Sequence, residues 1–396
     1  MNNKDYLHVR IFTAIAAMLL LLTACRNDPD PTGIDLIPDS DLIGAARFDS
    51  QSDSASMRTS QYAHVAPHGS STLLSIGEAD AYNARALLRW LLIPGDTVAY
   101  GGRIISAFIR LHTVPYHVGD ISAVMRIEAR EIMSFWNSFT ITTDSLPGLE
   151  RSTVPVGVYE QDLPESGSID IPLDSVLIRT WLVNSIEGRY TENRGVLLEA
   201  PGSAAIRAFH SLDATAGERP ALIVVMETSG GIDTIRGESA DDTWLVTRPE
   251  EQASGRIILH SGVSVRGRLF FDVSAIPAAS IVNHAELRLT KDTELSTRYY
   301  RAADSVLVYE NLDSTQQTPS SSGLITRTDS EQPAVLITEG AALTRAVQNW
   351  VNRKWNHGLI LLPMNENTDL DRLAIFGADS DAEKRPRLIV TYTTQP

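Results

Sequence analysis

Along most of the chain, apolar and polar residues alternate in short runs separated by Gly, Pro and Asp. Ala107-Phe-Ile-Arg-Leu-His112 and Ala285-Glu-Leu-Arg-Leu-Thr290 keep a period of two, which predicts strands with one face on a core and one in solvent. Val124 to Glu128 and Val306 to Tyr309 read as the next strands, and Leu222 to Met226 and Leu388 to Tyr392, rich in β-branched residues, as later ones. A helical period intrudes twice. Leu177, Trp181 and Leu182 share one helical face, as do Leu343, Val347, Trp350 and Val351, with Thr338 as the expected cap of the second helix.

The strand signals recur in the same order in two halves. Arg85-Ala-Leu-Leu-Arg-Trp90 is echoed from Arg268 to Val273, Ser106 to Leu111 by His284 to Leu289, Arg194 to Pro201 by His357 to Met364, and Arg219 to Met226 by Arg385 to Tyr392. The first copy is about 20 residues longer, mostly between Glu128 and Gly195, where a surface insertion is expected. Many short strands with frequent turn residues predict an all-β chain of two tandem antiparallel β-sandwiches of jelly-roll type, each with one short helix. The expected sandwiches span residues 46–229 and 232–396, joined at Ser229-Gly230-Gly231.

Composition changes this picture mainly at the amino terminus. The 396 residues carry 34 Lys+Arg against 49 Asp+Glu, a net charge of −15, and one cysteine. One thiol excludes a disulfide scaffold and a cysteine-based zinc ribbon, and the acidic balance argues against a nucleic-acid partner. Ile11 to Ala24 is uncharged and follows Lys4 and Arg10. It is too short to span a bilayer and has the proportions of a secretory leader. It ends in Leu22-Thr23-Ala24-Cys25, which resembles the bacterial lipobox. That resemblance implies a signal peptide over 1–24, lipidation of Cys25, a membrane partner through the lipid anchor, and an acidic, disordered tether over 25–45. The expected location is the outer membrane or cell surface.

The ordered series of apolar motifs, ending in Arg-Pro-x-Leu-Ile-Val in both copies, resembles the DNRLRE (disaggregatase-related) domain. Asp241-Asp-Thr-Trp-Leu-Val246 is similar to its opening strand and Phe271-Asp-Val-Ser-Ala-Ile-Pro277 to a further segment; Phe135-Trp136-Asn137 of the first copy is similar to its Thr-Trp-Asn loop. The resemblance implies β-sandwiches on secreted or surface-anchored proteins, some of them like carbohydrate-binding modules for acidic polysaccharides.

No G-x-S-x-G, H-E-x-x-H or phosphate-loop motif is present in the sequence. A glycosidase needs only two carboxylates brought together by the fold, and no pair stands out. The expectation is therefore a non-enzymatic module that binds polysaccharide or glycan. A structural or adhesive surface protein and a polysaccharide hydrolase or lyase remain as alternatives. Aromatic platforms for sugar rings are sought at Trp136, Trp355, Tyr299 and Tyr300, with Arg298 and Arg301 as partners for sugar carboxylates. Asn365, Asn367, Asp369 and Asp371 space oxygens at alternate positions, a candidate calcium loop that is not an EF-hand, since Leu370 stands where its glycine would be. No other cofactor is expected.

Overall fold

A computed structural model describes residues 44–394 apart from 54, 92, 94–101, 123, 248–253 and 300–304. The expected leader over 1–24, Cys25 and the expected tether up to residue 43 lie outside the described residues, and Ala45, the last residue of the expected disordered tether, opens a strand instead.

The first half contributes β1 (Ala45–Asp49), β2 (Met57–Ala63), β3 (Leu73–Ala79), β4 (Tyr82–Arg89), β5 (Arg103–Gly119), β6 (Met125–Glu131), β7 (Gly157–Gln161), β8 (Gly167–Pro172), α1 (Ser175–Ile186), β9 (Val196–Glu199), β10 (Ala205–His210) and β11 (Ala221–Thr228). There follow β12 (Gly231–Glu238), β13 (Asp241–Val246), β14 (Arg256–His260), β15 (Val265–Phe271), β16 (Ile281–Thr297), β17 (Val306–Asn311), β18 (Pro319–Ile325), β19 (Arg327–Thr328), β20 (Val335–Glu339), α2 (Ala341–Val351), β21 (Leu359–Pro363), β22 (Arg372–Phe376) and β23 (Arg387–Thr393). They form two antiparallel β-sandwiches, each a curled sheet system bent around one long strand, β5 or β16. Asp174 caps α1 by accepting from the backbone N–H of Val176 and Leu177. α2 starts instead at Gly340, and Thr338, the expected cap, belongs to β20.

The repeat is borne out strand by strand, because β3 to β11 and β14 to β23 pair in matching order. Gly195 and Gly358 mark one shared point. Both have positive φ, and a Cβ there would meet the carbonyl oxygen of Leu88 or of Leu269, so the repeat needs glycine where the strand passes this close to its neighbour. The same register makes Arg85 the counterpart of Arg266, not of Arg268: Leu87 pairs with Leu197 as Arg268 pairs with Ile360. The alignment read from the sequence is thus two residues out. A shift of two keeps every side chain on its face and is invisible to periodicity.

The sandwiches do not follow the boundary expected at Ser229-Gly230-Gly231, which is the turn of the β11–β12 hairpin. β13, read as the opening of the second copy, pairs with β4 of the first sandwich over six residues. The counterparts of β12 and β13 in the second sandwich are β1 and β2 from the start of the described chain. β1 pairs with β23 and β2 with β15. Phe48 enters the second core, Asp49 accepts a bidentate hydrogen bond from Arg387, and the Ser50 hydroxyl accepts from Leu388 N–H at 2.9 Å. Without this strap, two rows of backbone donors and acceptors would be left open.

Phe48→Ala should destabilise the second sandwich by about 3 kcal/mol or more. Hydrogen exchange should show protection lost over 387–393 and 265–271, more than 200 residues away in sequence, while 73–89 stay protected. Equal loss in both sandwiches would contradict the assignment of the strap.

Candidate functional site: an arginine-lined groove on the second sandwich

The outer face of each sandwich is built by matching strands, and the two faces have different fates. In the first, Leu87, Leu197 and Leu245 point outward and would be exposed on a bare sheet. The insertion covers them: Ile132, Trp136, Ile141 and Leu149 close over the three leucines as a separate small core. The connection from β6 to β7 occupies 132–156, whereas the matching connection from β17 to β18 occupies only 312–318. The second sandwich therefore has no such cover. Its residues at the three leucine positions are Arg268, Ile360 and Tyr62, by the paired registers of β4 with β13 and β9 and of β15 with β2 and β21.

An open groove of about 660 Å³ lies beside the first of these, Arg268, lined also by Arg58, Thr59, Ser60, Phe270, Ser314, Asn356 and His357, while Ile360 is fully buried. This volume is in the range of small-molecule sites. β2 and β15 pair Arg58 with Phe270 and Ser60 with Arg268, so period two brings both guanidinium groups to one face. Arg58 stacks over the Phe270 ring, 4.4 Å from its centroid, and Arg268 over Tyr62 at 4.9 Å. Neither arginine has a carboxylate partner among the described residues, and Nε of Arg268 is buried without an acceptor. The neighbouring Arg266 differs: its two nitrogens donate to Glu366, each at 2.7 Å. Asn356 is fixed by donating to the Phe271 carbonyl and accepting from Gly358 N–H. In a chain of charge −15, a lining with two arginines, a histidine and no carboxylate is suited to an anion.

The residues expected from sequence are dispersed. Trp136 is 3% exposed; its indole N–H donates to the Arg194 carbonyl, and Arg89 stacks on its ring. It belongs to the cover, not to a sugar platform. The reason is the three outward leucines, which need an apolar lid. Trp355 is 52% exposed, next in the chain to groove residues Asn356 and His357. Tyr299 lies at the seam between the sandwiches, where its hydroxyl donates to Asp80 at 3.1 Å. Burial and the Asp80 charge push its hydroxyl up to about 12. Arg298 is exposed and lines a second, smaller cavity with Asn365, Asp369, Asp371 and Arg372. Tyr300 and Arg301 lie outside the described residues. The groove residues Arg58, Arg268 and Phe270 carry no ligand motif in the sequence. The one local signal is the alternation Arg58-x-Ser60-x-Tyr62 facing Arg266-x-Arg268-x-Phe270.

The candidate calcium loop is a wedge between the sandwiches. Leu370 is fully buried in the first core, and its N–H donates to the Tyr116 hydroxyl at 2.8 Å. The Asn367 carbonyl accepts from the Trp244 indole, whose ring stacks on His68. Tyr82 and His260 meet across the same seam through a side-chain hydrogen bond. Asp369 accepts from Asp371 N–H and Asp371 from Tyr299 N–H. Oδ2 of Asp371 and Oδ1 of Asn367 are buried without a hydrogen-bond partner among the described residues. Burial first, then the charge of Asp369, lifts Asp371 to about 6; burial raises Asp369 as well.

Residues 239–392 match the family model described as TGF-beta propeptide. No curated protein matches. Among solved structures, the C-terminal domain of the Streptococcus pyogenes antigen I/II-family protein AspA aligns at 9% identity over 82% of this chain and 91% of that one, with a TM-score of 0.14. That score carries no argument about fold or function.

Because the folded-state value of Asp371 lies above the ordinary carboxylate value, its charge opposes folding above about pH 6, and this cost fades as pH falls toward 4. Asp371→Asn keeps an acceptor for Tyr299 and should raise the melting temperature at pH 7.5 by about 2–4 °C. The difference should shrink to about a third at pH 4.5 and be nearly gone at about pH 3.5; a variant less stable than wild type at both pH 7.5 and pH 4.5 would refute this assignment.

Proposed function

We propose that this chain is a lipid-anchored extracytoplasmic protein whose second sandwich holds an acidic extracellular polysaccharide in the Arg58–Arg268 groove, without catalysis. The observation that carries this reading is the pair of arginines stacked on rings and lacking carboxylate partners among the described residues, on a face that the first sandwich fills with its own loop. Guanidinium groups meet carboxylate or sulfate groups with directed, paired hydrogen bonds. Phe270 and the neighbouring Trp355 offer apolar faces for pyranose rings. The lipobox-like Leu22 to Cys25 supports the anchor.

A second reading, adhesion through protein contacts, is favoured by the insertion of the first sandwich. Phe135 and Phe139 are each 68% exposed there, and apolar side chains of that size at a surface are a common contact element.

Affinity electrophoresis through gels containing acidic or neutral polysaccharides separates the two. The acidic polymers should retard the wild-type chain, and Arg58→Ala or Arg268→Ala should weaken binding about tenfold, equivalent to about 1.4 kcal/mol. Phe135→Ala should not change it. Retardation by none of the polymers would exclude the polysaccharide reading. For the anchor, Cys25→Ser should move the protein from the membrane to the soluble fraction of fractionated cells.

A further inference from the structure

A separate cluster lies on the outer face of the second sandwich, where β16 runs beside β20. Glu286 is directly opposite Glu339 in this pairing. His284 is two residues back on β16 and so on the same face. Nε2 of His284 is 3.2 Å from Oε2 of Glu339, and one ligand atom from each of the three residues lies within 4.8 Å of the other two. We propose that His284, Glu286 and Glu339 bind a zinc ion, or a similar divalent transition metal, on this face.

Several features set this cluster apart from an ordinary surface ion pair. Each carboxylate is oriented from outside by an arginine that takes one oxygen: Arg288 Nε donates to Glu286, and Arg327 Nη2 donates to Glu339 Oε1 at 3.0 Å. Such outer hydrogen bonds hold the ligands of metal centres in place. Asp329, 3.6 Å from Arg288, offsets part of the added positive charge. Next to the cluster, the β16–β23 ladder shifts register between Val282 and His284.

The first sandwich supplies an internal comparison. Its matching ladder also shifts, between Val225 and Met226. The positions corresponding to His284, Glu286 and Glu339 are there held by Ser106, Phe108 and Pro172. The bulge therefore belongs to the fold, and the three ligands belong to the second copy alone. Arg110, the counterpart of Arg288, instead pairs with Asp170 at 2.8 Å.

The donor set decides the metal class. One imidazole nitrogen with two carboxylate oxygens suits zinc and its neighbours in the first transition row, and is foreign to calcium or magnesium sites built from oxygen alone. Three protein ligands on an exposed face leave a fourth position to water or to a donor from outside.

Isothermal titration calorimetry of the full chain with ZnCl2 in detergent tests this. The wild type should take up zinc at a site that His284→Ala and Glu339→Gln each weaken by about tenfold or more, and Glu286→Gln should also weaken it. Cobalt(II) gives a second readout: a visible absorption band that shows protein ligands in wild type should be lost in His284→Ala. Unchanged circular dichroism confirms that these surface variants fold. Zinc uptake by His284→Ala equal to that of the wild type would overturn the proposal, as would wild-type affinity weaker than about 1 mM.

Discussion

A strand left without a neighbour exposes a row of backbone N–H and C=O groups and leaves the core beside it less covered, so each sandwich here adds a strand at the same two positions. In this chain that constraint is met in two ways. The first sandwich is completed by the strands that follow it directly, β12 and β13. The second reaches the last described strand, β23, with the matching positions still empty, and β1 and β2 fill them. The strap does more than supply hydrogen bonds. It brings Phe48 into the core and Asp49 onto Arg387, and it ties the amino-terminal end of the described chain to the far sandwich.

The groove depends on the same strap. Arg58 is a residue of β2, and Arg268 and Phe270 are residues of β15, so the cationic face exists only because two segments more than 200 residues apart in sequence are paired. The duplicated fold then diverged where packing demands least. Three leucines on one copy required a cover, and the insertion with Trp136 provides it. At the corresponding places of the other copy stand Arg268, Tyr62 and the buried Ile360, with Arg268 stacked on the Tyr62 ring, and a groove lies open beside Arg268.

Between the copies, packing demands more. Leu370 enters the first core while belonging to a loop of the second sandwich, and this drags Asp369 and Asp371 with it into a setting where their charge is unfavourable. The alternating oxygens of that loop look from sequence like ligands exposed at a turn. Their burial follows from Leu370 and from the Trp244 and Tyr116 side chains that receive the loop.

The sequence by itself determined the class of the fold, the duplication, the two helices and their buried faces, because period two and period 3.6 are local properties of residues and survive without tertiary context. It also determined that one copy carries an insertion. Only the tertiary structure decided which sandwich β1, β2 and β13 complete, since a strand's alternation says which face is buried but not which edge it joins. The register between the repeats, with Arg85 matching Arg266, was likewise undecidable from alternation, which is blind to a shift of two. For the same reason Trp136 read as a platform when it is a lid, and Arg58 and Arg268 were silent: a site made by pairing distant strands leaves in each strand only an arginine at an outward position, which any solvated strand would carry as well.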